Sequence, residues 1–168
     1  MKDIPDGSVD MAVTSPPYDR LRDYNGTISQ WNFEKFQLIA QELYRVVKQG
    51  GVVVWIVNDS TIKGSETGTS FRQALYFKEL GFNLHDTMIW CKDGGGGFGS
   101  CYCYMQNTEY MFVFSKGRPA TVNLICDHKN KFAGRVKRNT PDRKRKDGTV
   151  KVIKERTVLP YSKRNNWW

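Results

Sequence analysis

Residues 52–57 read Val-Val-Val-Trp-Ile-Val, an unbroken apolar run in which five of the six side chains are β-branched. The run is too short for a helix and too apolar for a strand with one wet face. It therefore predicts a strand covered on both faces, the kind found in parallel sheets flanked by helices. Upstream, Phe33, Phe36, Ala40, Leu43 and Val47 recur at helical spacing, and the pattern stops at Gly50-Gly51, a helix with a glycine exit. Downstream, a turn-rich loop over residues 58–68 leads to Thr69 or Ser70 as the N-cap of a second helix carrying Phe71, Ala74, Leu75 and Leu80, ended by Gly81. Further strands are expected over residues 10–14, 86–91 and 109–115. Strand, helix, strand, helix, strand is half of an open α/β sheet with right-handed crossovers. At 168 residues and 39% apolar content the chain has the size of one domain with a real core.

In such sheets ligands bind outside the carboxyl ends of the strands. The first strand ends in Thr14 and is followed directly by Ser15-Pro16-Pro17-Tyr18. Each proline fixes φ and lacks an N–H, and each residue before a proline is driven toward extended geometry, so this corner is stiff. It presents a small hydroxyl, backbone carbonyls and an aromatic face, groups suited to holding a flat ring that bears an amino group. A plain proline turn after a strand has the same composition. Asn58 and Asp59 stand at the end of the 52–57 strand, where ordinary turn chemistry and a polar contact to a ligand are both open.

Charge is distributed unevenly. The net charge is +9, yet residues 116–168 hold 16 Lys/Arg against 4 Asp/Glu while residues 1–115 hold 10 against 13. The basic stretch includes Arg135, Lys137, Arg138, Arg143, Lys144, Arg145 and Lys146, with Gly134, Pro141 and Gly148 expected to interrupt any regular element. A solvated basic loop and a phosphate-tracking surface are the two readings. Beside an amino-group site, nucleic acid is the preferred partner.

Residues 4–18, Ile-Pro-Asp-Gly-Ser-Val-Asp-Met-Ala-Val-Thr-Ser-Pro-Pro-Tyr, resemble the opening of the catalytic region in DNA amino-methyltransferases of the permuted type, whose catalytic motif precedes the cofactor motif. Residues 33–59, 69–90 and 109–117 resemble later segments of that family, so the likeness covers most of residues 3–117. Arg164-Asn165-Asn166-Trp167 resembles the family's Arg-x-Asn-Val-Trp stretch in part. The resemblance implies an α/β fold, a partial doubly wound Rossmann-like methyltransferase sheet over residues 1–117, with a basic, loop-rich target-recognition segment over residues 118–168. It implies S-adenosylmethionine as cofactor and double-stranded DNA as partner. Ser15, Pro16, Pro17 and Tyr18 are then the catalytic set: the Ser15 side chain and the Pro16 carbonyl accept the amino hydrogens of a flipped base, and Tyr18 stacks on that base. Thr14, Asn58 and Asp59 are assigned to the cofactor side, and the seven basic residues above to DNA. A serine in the first place of the tetrapeptide leans the analogy toward N4 of cytosine over N6 of adenine.

The family's Pro-Phe-x-Gly-x-Gly-like loop, which holds the methionine part of the cofactor, has no counterpart before Trp168. The chain is accordingly expected to be a fragment, a truncated product or one half of a split enzyme, partnered by a complementary polypeptide or a second copy. A non-catalytic DNA-binding remnant is the alternative, and a protein or RNA amino group is a third substrate class. Residues 94–99, Gly-Gly-Gly-Gly-Phe-Gly, satisfy a glycine-rich fingerprint formally, but residues 101–105 read as extended, and the fingerprint needs a helix there. Cys101, Cys103, Cys126 and His128 do not have a common zinc spacing, so no metal is expected. With no apolar run of membrane-spanning length and no signal-like start, the expected location is the cytoplasm, without a membrane partner, and the four cysteines read as reduced thiols.

Overall fold

The structure, a computed structural model, describes residues 1–18, 31–93, 104, 106–137, 141–144, 150–152 and 155–166; for residues 141–144 and 150–152 it gives the backbone alone. The chain forms two compact units, residues 1–122 with 166–168, and residues 123–165. Among the described residues no helix is long and apolar enough to cross a membrane.

In the first unit, β1 (Val9–Thr14), α1 (Phe33–Val46) and β2 (Val47–Val57) form a strand-helix-strand unit with β1 and β2 parallel. A small hairpin, β3 (Thr61–Ile62) with β4 (Ser65–Glu66), precedes α2 (Thr69–Glu79), then β5 (Asn83–Cys91) and β6 (Thr108–Ser115) complete the sheet. The strand order is β1-β2-β6-β5, and β6 runs antiparallel to both neighbours. No described helix separates β5 from β6, so the chain turns back as a hairpin does, and the Lys92 N–H bonds the Asn107 carbonyl at 2.8 Å across the connection. Strand periodicity carries no direction, which is why this reversal was not legible in the sequence.

The helices share one face. From β1 to β2 and from β2 to β5 the crossovers step the same way along the sheet, and connections of one hand then place their helices on one side. Phe36 of α1 meets Trp55 at 5.6 Å between ring centroids; Phe77 of α2 meets Trp55 at 5.2 Å and stacks on Phe114 at 4.6 Å. Val53, Trp55, Val57, Phe112 and Phe114 are buried under them, while Val52, Val54 and Ile56 on the other face are half-buried. Among the described residues β2 is thus covered more fully on the helix face than on the other.

Two further sequence expectations change in detail. Gly50-Gly51 lies inside β2 rather than at a helix exit. Gly50 takes φ +81°, and a Cβ on Gly51 would meet Val47 Cγ1 at 2.7 Å and the Asp10 and Lys48 carbonyls at 3.0 Å, so backbone conformation and crowding together require glycine here. The end of α1 is instead satisfied from outside: Gly7 and Ser8 donate N–H groups to the Arg45 and Val46 carbonyls, and the Lys116 ammonium donates to the carbonyls of Tyr44 and Val47. In α2 the N-cap is Gly68, and the buried residues are Ser70, Gln73, Ala74 and Phe77, leaving Phe71 and Leu75 exposed.

The second unit consists of nested antiparallel pairs: β7 (His128–Lys129) with β12 (Tyr161–Ser162), β8 (Val136–Lys137) with β11 (Arg156–Thr157), and β9 (Pro141–Lys144) with β10 (Val150–Val152). The glycine and proline punctuation divides this basic stretch into short ladders without abolishing pairing. Pro141 lies within β9, opposite Val152.

Candidate active site

The reversed β6 places its amino end among the carboxyl ends of the other three strands. Thr14 pairs with Trp55, Val57 with Tyr110 and Trp90 with Glu109, so Ser15, Asn58, Lys92 and Glu109 belong to one rim of the sheet. Ser15 is exposed, Pro16 buried, and Pro17 and Tyr18 half-buried, with Tyr18 packed against the core cluster. The Ser15 Oγ lies 2.7 Å from the Tyr18 hydroxyl, which donates to Glu109 Oε2 at 3.0 Å across 91 residues of sequence. The other oxygen of Glu109 is ion-paired with the Lys92 ammonium, which also lies 5.1 Å from the centroid of the Trp90 ring. Glu109 is itself only 7% exposed. The proline corner is therefore anchored by a buried carboxylate from a distant strand.

Asn58 and Asp59 are engaged differently. Asn58 donates from Nδ2 to the Thr108 carbonyl at 3.1 Å and accepts the Asp59 N–H at 3.0 Å, tying the end of β2 to the start of β6. Asp59 is 4% exposed. One of its oxygens accepts the Ser70 N–H at 2.9 Å and the Thr67 hydroxyl at 3.2 Å, and the other accepts the Ser70 hydroxyl. This carboxylate caps α2 from outside the helix, supplying what Gly68 lacks. Thr14 is half-buried at the end of β1. On this rim the proline corner presents an exposed hydroxyl, whereas the polar atoms of Asn58 and Asp59 are engaged within the fold. Beside the rim, Tyr110 stacks on Phe112 and meets Phe71; burial, and then the negative charges of Asp59 and Glu66, push its phenol above the ordinary range.

A cavity of about 230 Å³ lies elsewhere, lined by Asp10, Lys48, Gly50 and Ala120 near the amino end of β1. In the second unit Arg135 and Lys137 are exposed, and the Arg135 guanidinium sits 5.5 Å from the centroid of the Phe132 ring. Arg143 and Lys144 lie on β9. Arg138, Arg145 and Lys146 fall outside the described residues, as do the glycine run 94–99, Cys101, Cys103 and Trp167. Cys91 and Cys126 are exposed free thiols, and no group of His, Cys, Asp or Glu able to hold a metal occurs among the described residues.

Glu109 and Lys92 were missed as site residues. The available signal was a lone acid at the head of an otherwise apolar strand, and it became meaningful only once the strand's direction was known.

The sheet, parallel but for one reversed strand, has the fold of the Rossmann-like methyltransferases. PvuII DNA methyltransferase, cytosine-N4-specific, superposes with a TM-score of 0.56 at 20% identity over 70% of this chain and 46% of that one. TTHA0409 of Thermus thermophilus, solved with S-adenosyl-L-methionine, gives 0.55 at 23% identity over 73% and 52%. In sequence, the orphan methyltransferase M.BamHII of Bacillus amyloliquefaciens is 54% identical over 168 residues, covering 99% of this chain and 61% of its own length. Residues 9–166 match the DNA methylase family of N6 and N4 methyltransferases, and the chain belongs to that family. It spans less than two thirds of the length of each of these three proteins.

Proposed function

We propose that this chain is the base-gripping portion of a DNA amino-methyltransferase, acting on the exocyclic amino group of a nucleotide flipped out of duplex DNA. The observation that carries the reading is the exposed Ser15 hydroxyl on a proline-stiffened corner whose neighbouring phenol is anchored to buried Glu109. An exocyclic amino nitrogen is a weak nucleophile because its lone pair is delocalised into the ring. Acceptors that take its hydrogens draw it toward tetrahedral geometry and free that pair. Ser15 and the Pro16 carbonyl do this, and the Tyr18 ring supports the base, whose unstacking costs a few kcal/mol. S-adenosylmethionine supplies the electrophilic methyl group when bound. Thr14, at the carboxyl end of β1, is kept for the cofactor side of the site; Asn58 and Asp59 also hold the rim together through the polar atoms engaged there. The cofactor cradle would be contributed by polypeptide outside the described residues, from a complementary chain or a second copy.

The basic second unit fits duplex DNA. Lys137 stands directly opposite Arg156 in the β8-β11 ladder, a like-charge pairing that is unfavourable alone and is relieved by a polyanion. Arg135, Lys137, Arg143 and Lys144, with Arg138, Arg145 and Lys146, are the phosphate-contacting set. DNA binding without methyl transfer is the second reading, favoured by the engagement of the Asn58 and Asp59 polar atoms within the fold.

Transfer of a labelled methyl group to duplex DNA, followed by nucleoside analysis, tests the first reading. N4-methylcytosine is the expected product, with N6-methyladenine marking the other branch of the family. Ser15→Ala is expected to lower transfer about 100-fold, as loss of one preorganised polar contact does elsewhere. Undiminished transfer by both Ser15→Ala and Tyr18→Ala would refute the assignment.

A further inference from the structure

We infer that Glu109 is a positioning residue that fixes the Ser15 hydroxyl as a hydrogen-bond acceptor, acting through Tyr18. The inference rests on the reading of Ser15 as the group that receives the amino hydrogens. It follows from counting hydrogens along the rim. A carboxylate only accepts, and a phenol has a single hydrogen to give. Because the Tyr18 hydroxyl donates to Glu109 Oε2 at 3.0 Å, that hydrogen is not available to Ser15. The 2.7 Å contact between Ser15 Oγ and the Tyr18 oxygen must then be donated by the serine. Its hydrogen points inward along the chain of bonds, and its lone pairs face outward from an exposed side chain.

Without this constraint a serine hydroxyl rotates, and half of its roles present a hydrogen to the base amino group, where two donors would oppose each other. Glu109 removes that freedom from the far end. Lys92 defines the other side: its ammonium has donors only and occupies the second oxygen of Glu109. The arrangement draws on three strand ends, with Ser15 following β1, Lys92 following β5 and Glu109 at the head of β6.

Glu109→Gln reverses the chain of bonds at nearly constant shape. Lys92 can be served only by the amide oxygen, so the amide nitrogen faces Tyr18 and donates to it. The Tyr18 hydrogen, no longer taken by residue 109, becomes available to Ser15, and a Ser15 that accepts it loses an outward lone pair. In methyl transfer the expected result is a fall in kcat of about 10-fold or more, with KM for DNA little changed. In a Tyr18→Phe background the same substitution is expected to have no further effect, because the intermediary is gone. Glu109→Asp, which keeps acceptor-only chemistry, recovers part of the loss. An equal loss from Glu109→Gln with and without Tyr18 would overturn the inference and leave Glu109 a packing residue.

A second measurement does not depend on turnover. In protein carrying ¹³Cζ-labelled tyrosine, the Tyr18 resonance, assigned through Tyr18→Phe, is expected to move in Glu109→Gln while Tyr44 and Tyr76 stay in place. An unmoved Tyr18 resonance would also overturn the inference. Wild-type chain that transfers no methyl group under any supplementation counts against the proposed function, and the resonance still decides whether Glu109 sets the polarity of Ser15.

Discussion

At the scale of single residues, buried polar side chains define this sheet as much as its apolar core does. Trp55 is almost fully buried, and its indole N–H donates to Gln73 Oε1 at 2.8 Å. Gln73→Met keeps the volume and removes the acceptor, so an unsatisfied donor is left in the core at a cost of about 1–3 kcal/mol; urea unfolding reads this as a lower midpoint with an unchanged slope. Asp59→Ala is expected to be more disruptive, since one carboxylate receives three donors at the start of α2. Neither role was legible in the sequence. Asp59 looks like any acid in a turn, and Gln73 occupies a position that hydropathy assigns to solvent. The proline corner was legible because proline acts on the backbone directly, whereas the phenol's distant partner depends on topology.

At the scale of elements, α1 and its spacing were readable because its buried face is apolar: Phe36, Ala40, Leu43 and Val46. The burial of α2 was not, because half of its buried residues are Ser70 and Gln73. The junction of α1 with the amino-terminal segment carries a pH dependence. Arg45 donates to the carbonyls of Met1 and Ile4, pairs with Asp6 and holds Glu42 at 2.9 Å. Hydrogen bonding from Arg45, followed by its charge, keeps the Glu42 carboxyl below the ordinary range. A carboxyl whose folded pKa is depressed contributes stability above its unfolded pKa, near 4.3, and loses that contribution as pH falls through the folded value. Wild type is thus expected to exceed Glu42→Gln in unfolding midpoint at pH 7, with the difference narrowing below about pH 4 as Glu42 takes up its proton. A gap that widens on acidification would contradict this account.

At the scale of the whole molecule, charge and core are segregated by unit: the aromatic core belongs to residues 1–122, and the cross-strand Lys137–Arg156 pair belongs to residues 123–165. That division was visible as a change in composition, although the paired ladders within the basic segment were hidden by its glycines and proline. If the second unit tracks phosphates, affinity for duplex DNA falls steeply with salt, and each contacting cation removed reduces the slope of log K against log salt by about 1. Lys137→Ala is expected to show that reduction uniformly across DNA sequences in a fluorescence-anisotropy titration. A slope unchanged within error would remove Lys137 from the contacting set.

The reversed strand also dictates an order of events on the ribosome. A nascent chain that has emerged only through Cys91 already holds the proline corner, both helices and three of the four strands, yet β5 has no neighbour, because its partner on the way to β2 is β6. The carboxylate that anchors Tyr18 arrives with that last strand, which must slot between two others. Synthesis halted before residue 108 therefore leaves no partly competent rim: the serine and the tyrosine are present, and nothing yet tells either of them which way to point its hydrogen.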